Sequence, residues 1–244
     1  FDHDSPSEPM IIEEMFEGEM RKMIVQVSRN GHVYALDRMS GDFLYASEYT
    51  RVNWADRDER GKPVLKESLY EPADTVVFPG LYGGKNWPPA SYSPDTHMLY
   101  IPTTEWGTRF IRREGEMRVG TMDLGGMAQF AAAGTGWVVA FDMRSGEIAW
   151  QKEMPGNHNW AGTLATGGGL VFSGAPDGYI YAMNDETGEV LWKFQTGSGV
   201  YAPPTSFTID GKQYIGIASG TRYPVTRAGV GTGISTGNYI LFSL

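Results

Sequence analysis

Short runs in which apolar and polar residues alternate recur along the chain, and three of them lead into the same phrase. His32–Ala35, Trp137–Ala140 and Tyr179–Ala182 each carry the two-residue period of a half-buried strand. Each then enters the template Ala-x-Asp/Asn-x-x-Ser/Thr-Gly-acid-x-x-aromatic, at Ala35 to Tyr45, Ala140 to Trp150 and Ala182 to Trp192. The glycines of the template, Gly41, Gly146 and Gly188, supply the positive φ of a tight turn, so each copy predicts strand, turn and strand ending in a large ring. Trp150 and Trp192 stand 42 residues apart, the length of one four-stranded blade. A repeat of that size predicts an all-β fold, a β-propeller.

A second pattern precedes the first. Asn86-Trp87 through Tyr100 matches Asn159-Trp160 through Phe172, and Val200-Tyr201 through Tyr214 is a third version. Each predicts the first strand, turn and second strand of a blade. The innermost strand of a propeller blade lines the central channel, so Asn86, Trp87, Asn159, Trp160 and Val200 are expected at the mouth of one shared axis. Elsewhere the pattern is weaker. Residues 5–22, with Pro6, Pro9 and the Glu-rich stretch Glu13 to Glu19, read as loop leading into a hairpin, Met23 to Val27 as strand, and Asn30-Gly31 as a hairpin turn. Residues 47–85 read as a long connection, and about 105–135, carrying Arg112, Arg113 and Arg118, as a surface insertion. Thr221 to Thr236 reads as a Gly-rich loop and Asn238 to Leu244 as a closing strand. The whole of 1–244 is thus predicted as about four blades, the last without its fourth strand. Open sheet edges are covered or paired in natural proteins, so another segment or chain is expected to complete the ring.

Composition narrows the function. With 20 Lys and Arg against 29 Asp and Glu, a net charge of −9, there is no basic stripe to neutralise phosphates, and nucleic acid is not an expected partner. Cysteine is absent, which removes disulfides, thiolate zinc sites and the C-x-x-C-H haem attachment. No run approaches the roughly 18 apolar residues of a transmembrane segment, and Phe1-Asp2-His3-Asp4 lacks the layout of a signal peptide. The missing initiator Met reads as a processed or partial polypeptide.

Several features have ordinary readings. Asp56, Asp58, Gly61 and Glu67 mimic the spacing of a calcium loop, but Arg60 at a ligand position and Pro63 speak against it. Gly229, Gly231 and Gly233 are not a dinucleotide fingerprint, because no Gly falls three residues after the second. His3, His32, His97 and His158 show no ligand pairing, a solvated or capping role is expected for each, and no metal-ligating set is assigned. Tyr45, Trp150 and Trp192 read as structural rings wedged between blades.

The more specific stretches are Arg29-Asn30-Gly31 running to Asp37-Arg38, Val52-Asn53-Trp54-Ala55, Gly83-Gly84-Lys85-Asn86-Trp87-Pro88-Pro89-Ala90, and Trp160-Ala161-Gly162-Thr163-Leu164-Ala165-Thr166. Together they resemble, in order and over the length of the chain, the C-terminal half of the eight-bladed propeller of the pyrroloquinoline quinone (PQQ) dependent alcohol and methanol dehydrogenases. The repeat phrase looks like that family's tryptophan-docking motif. The resemblance implies cofactor-binding roles for Arg29, at the quinone carbonyls, and for Asn86, Trp87 and Trp160. A planar, polyanionic quinone suits a guanidinium fork with amide and indole donors. The resemblance also implies oxidation of an alcohol to an aldehyde or ketone, in the periplasm, with electrons leaving to a cytochrome c or other acceptor. It places the catalytic Asp and the ligands of a Ca2+ or lanthanide ion upstream of this chain, with Arg29 as electrostatic support only. The competing expectation is a non-enzymatic propeller scaffold that binds peptides or outer-membrane assembly partners.

Overall fold

A computed structural model describes residues 2–66, 75–112, 120, 126–220 and 237–243. The Gly-rich stretch with Gly229, Gly231 and Gly233, and the residues Glu67, Arg113 and Arg118, lie outside the described residues. Among the described residues six antiparallel sheets form, and four of them follow one another along the chain. The first is built from β1 (Met10–Phe16), β2 (Glu19–Val27), β3 (His32–Asp37) and β4 (Phe43–Glu48) in sequence order. A hairpin of β5 (Ala55–Arg57) and β6 (Pro63–Leu65) follows, and then β7 (Val76–Val77). The second sheet takes β8 (Ser91–Ser93) and β9 (Met98–Glu105), leaves on an excursion through β10 (Thr108–Arg112) and β11 (Gly126–Phe130), and returns with β12 (Thr135–Asp142) and β13 (Glu147–Met154). The third holds β14 (Thr163–Thr166), β15 (Leu170–Gly174), β16 (Tyr179–Asn184) and β17 (Val190–Gln195). In the fourth, β18 (Thr205–Ile209), β19 (Lys212–Ser219) and β20 (Asn238–Ser243) make three strands.

The core lies between the sheets. Successive residues of a strand point to opposite faces, and here both faces are covered. On β9 and β12, Leu99, Ile101, Val139 and Phe141 pack towards Val25 and Val33 of the first sheet. Their neighbours Tyr100, Val138 and Ala140 pack the other way, against Val171 and Met183 of the third. Phe172 and Ile180 then turn to Ile215 and Ile217 of the fourth. That is why the middle strands read as near-continuous apolar runs while the outer strands β13 and β17 stay largely exposed.

Every position of the repeat phrase has a local task. Asp37, Asp142 and Asn184 each accept, through Oδ1, the backbone N–H two residues on, at 2.8, 2.8 and 3.0 Å. Gly41, Gly146 and Gly188 have φ of 79, 71 and 71° and donate their N–H back to the carbonyl of that same Asp or Asn. A bulge falls in each copy just after the buried Ala, at Ala35/Leu36, Ala140/Phe141 and Ala182/Met183. Bulges re-aim side chains, and the terminal ring is carried onto the following sheet. Tyr45 donates its OH to the Met143 carbonyl at 3.3 Å, beside Gly146. Trp150 donates its ring N–H to the Asp185 carbonyl at 3.0 Å and lies over Gly188, where a Cβ would meet the indole at 2.6 Å. Trp192 instead packs edge-on to Phe242 at 5.1 Å and is 40% exposed.

The sequence reading departs from the fold in three segments. Residues 5–22 are not simply loop, because Ile12 and Glu14 alternate inward on β1, and the apparent charge run is a strand with Glu14 buried. The connection 47–85 contains the β5–β6 hairpin and β7. The insertion is itself a hairpin of β10 and β11, with β7 pairing to β10. In the fourth sheet β18 to β20 follow the expected pattern.

Candidate functional site

Three connections that each precede or join the inner strands meet around residues 80–87. The first is the Ser28–Gly31 turn between β2 and β3, closed by Gly31 N–H donating to the Ser28 carbonyl at 3.2 Å. It sets Arg29 inward, with its side chain only 9% exposed. The guanidinium donates through Nη2 to the Leu81 carbonyl and, at 2.9 Å, to Asp2 Oδ2, and its Nη1 lies 3.7 Å from Asp4 Oδ1. The Arg29 carbonyl accepts Gly84 N–H at 2.8 Å. Gly83 has φ of 73°, and a Cβ there would stand 2.8 Å from the Arg29 Cβ, so only glycine lets the loop close on the arginine.

The second connection is that loop. Asn86 donates its amide to the Tyr82 carbonyl at 3.1 Å and accepts Trp87 N–H at 2.9 Å. Lys85 is buried and donates to the Asn86 carbonyl at 3.2 Å; burial pushes its ammonium down to about 8. The Tyr82 ring meets Trp160 edge-on at 5.1 Å. Trp160, at the end of the third connection between β13 and β14, is buried and lies 4.8 Å from His158. The excursion adds Trp106 and Phe130, 5.6 and 4.8 Å from Tyr82.

Arg29, Asn86 and Trp160 are therefore joined through the single loop Leu81 to Asn86. Trp87 is not gathered in the same way: its ring is 50% exposed and its backbone N–H alone ties it to Asn86. Asn159 and Val200, expected beside them, are buried and hold the connections themselves. The Asn159 amide donates to the Trp137 carbonyl at 3.1 Å and its Oδ1 accepts Ala161 N–H at 3.1 Å. Val200 fills the space a side chain at Gly174 would need. Asp58 of the calcium-like spacing accepts the backbone N–H of Arg60 and Lys62 at 2.9 Å each, as the cap of the β5–β6 hairpin. Among the described residues no group of three or more His, Asp or Glu converges on one point.

Four neighbours of the site carry no motif in the sequence reading: Asp2, Asp4, Tyr82 and His158. The alternation Asp2-His3-Asp4 ahead of Pro6 was the one available signal for the carboxylates, since it sets both acids on one side of an extended segment. The donor set fits a planar polyanion. Arg29 keeps a buried Nε with no hydrogen-bond partner, the Asn86 amide has a second N–H beyond the one given to Tyr82, and the walls are aromatic.

The profile of the glucose/ethanol/alcohol dehydrogenase β-propeller domain, a PQQ domain, matches residues 153–215. The dehydrogenase subunit of an alcohol dehydrogenase (quinone) from Acetobacter aceti is 32% identical over 95% of this chain and 34% of its own length. A quinohemoprotein alcohol dehydrogenase from Pseudomonas putida HK5 superposes with a TM-score of 0.83 at 27% identity, over 90% of this chain and 35% of the other. A europium-containing methanol dehydrogenase gives 0.79 at 29% identity, over 88% and 39%. The chain spans about a third of the length of the curated relatives it matches.

Proposed function

We propose, from the premise that this chain belongs to the PQQ-dependent alcohol dehydrogenase family, that residues 1–244 are the C-terminal half of an eight-bladed propeller whose whole oxidises an alcohol to an aldehyde or ketone. The observation that carries the reading is the contact chain Arg29, Leu81 to Asn86, Tyr82 and Trp160, in which three separate connections present a guanidinium, an amide and an indole at one place. Arg29, Asn86 and Trp160 would hold the cofactor, with the half-exposed Trp87 beside Asn86. When bound, PQQ supplies the two-electron acceptor that no side chain here can provide.

The chain's own residues do the rest. Arg29 places fixed positive charge where negative charge grows on the acceptor's oxygens, in a buried setting where such a charge acts strongly. The catalytic Asp is expected upstream, but Asp2 Oδ2, 2.9 Å from that guanidinium, is a carboxylate oxygen that could take a hydroxyl proton instead, which would bring the proton acceptor into this chain. Asp4 Oδ1, close by, is one oxygen that a Ca2+ or lanthanide ion could use, the remaining ligands coming from residues outside this chain. Electrons pass on to a cytochrome c or another acceptor, and the protein works in the periplasm. The rings of Tyr45 and Trp150, seated over Gly146 and Gly188, are the tryptophan-docking motif of the family.

The test is release of the cofactor. The intact native protein, denatured, should yield PQQ, identified by its absorbance and mass. Arg29→Ala should lower kcat about 100-fold or more while unfolding within a few degrees of the parent, the usual scale for removing one electrostatic stabiliser. A folded protein without quinone, indifferent to Arg29→Ala, would overturn the reading and leave the peptide-binding scaffold.

A further inference from the structure

His158 lies two residues ahead of Trp160, and nothing above gives it a task. Its imidazole is buried, 5% exposed, and is boxed by aromatic faces from three connections. Trp160 stands at 4.8 Å and 59°, Tyr201 at 5.6 Å and 29°, and Tyr82 at 6.5 Å and 59°. The backbone beneath it is pinned. Gly136 of β12 approaches so closely that a Cβ there would lie 2.6 Å from the His158 carbonyl carbon, and Asn159 N–H donates to Thr104 Oγ1 at 3.3 Å. Nδ1 is buried with no hydrogen-bond partner. Burial alone pushes the imidazole down to about 4, with no charged group contributing, so the ring is neutral at pH 7.

An imidazole is a poor choice for a wedge whose only task is packing. A phenyl ring fills similar space and leaves no nitrogen unmatched, whereas a buried polar atom without a partner is destabilising and marks a place where something else arrives. We propose that His158 is a positioning residue of the cofactor pocket: its ring, stacked on Tyr201 and tilted against Trp160, fixes the tilt of the indole, and Nδ1 gains its hydrogen bond, directly or through one water, when the planar ligand is bound. The inference rests on the reading of Trp160 as a cofactor-side residue. It adds a residue from outside the sequence motifs and predicts that ligand binding and fold stability respond differently to its replacement.

The experiment titrates PQQ into the intact protein stripped of cofactor, following quenching of tryptophan fluorescence, for the parent, His158→Phe and His158→Asn. His158→Phe keeps the stacked ring and should raise the PQQ dissociation constant at least tenfold, with Tm unchanged or higher. His158→Asn restores a polar group near the Nδ1 position and should bind within about threefold of the parent, even where Tm falls. A parent that binds while His158→Phe binds equally well overturns the role of His158 alone. Loss of cooperative unfolding in both variants makes His158 a core residue and also overturns the proposal. A parent that takes up no PQQ overturns the cofactor reading, and His158 falls with it.

Discussion

Glu14 is a buried carboxylate, 1% exposed, that accepts hydrogen bonds from Tyr92 OH at 2.7 Å, His97 Nδ1 at 2.8 Å and Met15 N–H at 2.7 Å. It ties the first sheet to the β8–β9 turn of the second. There His97 has a φ of 60°, a left-handed conformation that costs a side-chain-bearing residue about 1–2 kcal/mol. The ionised acceptor offsets that strain, since hydrogen bonds to a charged group contribute about 1.5–3 kcal/mol. Glu14→Gln should therefore lower stability by about 2–3 kcal/mol in urea unfolding at pH 7, and a change under 0.5 kcal/mol would remove the network from the account. None of this was legible in the sequence, where Glu14 sits in an acidic stretch and its partners lie 78 and 83 residues away. His32 is the second such case. Its ring is fully buried, and burial, with the charge of Arg57 adding to it and outweighing the pull of the Asn30 backbone, pushes it down to about 4, as burial does for His158. A folded value below the unfolded 6.5 means that the unfolded chain binds protons first as pH falls. The stability held by the neutral rings is thus full above about pH 6.5 and is lost progressively towards pH 4, by about 3 kcal/mol for each histidine. Urea midpoints measured from pH 7 to pH 4.5 should fall, and His32→Phe should flatten that dependence.

At the scale of the element, the repeat phrase was the most legible part of the chain because each residue in it answers a local demand. The Asp or Asn caps the turn, the Gly adopts positive φ, the Ala sits at the bulge, and the ring reaches the next sheet. Gly188 and Gly41 separate the last of these demands from the others. Both have positive φ, but a Cβ at Gly188 would strike the Trp150 indole at 2.6 Å, whereas one at Gly41 meets nothing within 4 Å. Gly41→Ala should cost only the backbone strain, about 1–2 kcal/mol. Gly188→Ala should cost about 1–3 kcal/mol more, by overpacking a ring already hydrogen-bonded to Asp185. Equal unfolding midpoints for the two variants would show that the indole yields freely. The short strands β5, β6, β7, β10 and β11 were not legible, because two to five residues are too few to display a period. Their pairing is decided by distant partners, as when Arg109 of β10 aligns with Val76 of β7.

For the molecule as a whole, the sheets and their order followed from the repeat, and the site followed in part. Arg29, Asn86 and Trp160 belong to motifs and meet; Tyr82 and His158 join them only because the connections fold onto one another, which no local pattern encodes. The seating of rings also has a direction. Each sheet gives its terminal aromatic to the turn of the sheet that follows: Tyr45 to Gly146, Trp150 to Gly188. Along the described residues this leaves a vacant seat at Gly41 and an unseated ring at Trp192. The two are unlike and complementary, so association through them is head-to-tail rather than two-fold, and such contacts either close into a ring or grow into a filament. A polypeptide of residues 1–244 on its own should show a weight-average mass that rises with concentration in sedimentation equilibrium, and Trp192→Asp should suppress the rise. Filling the seat at Gly41 or covering the ring of Trp192 would each be enough to end such growth, so a single capped end decides whether these residues stay discrete.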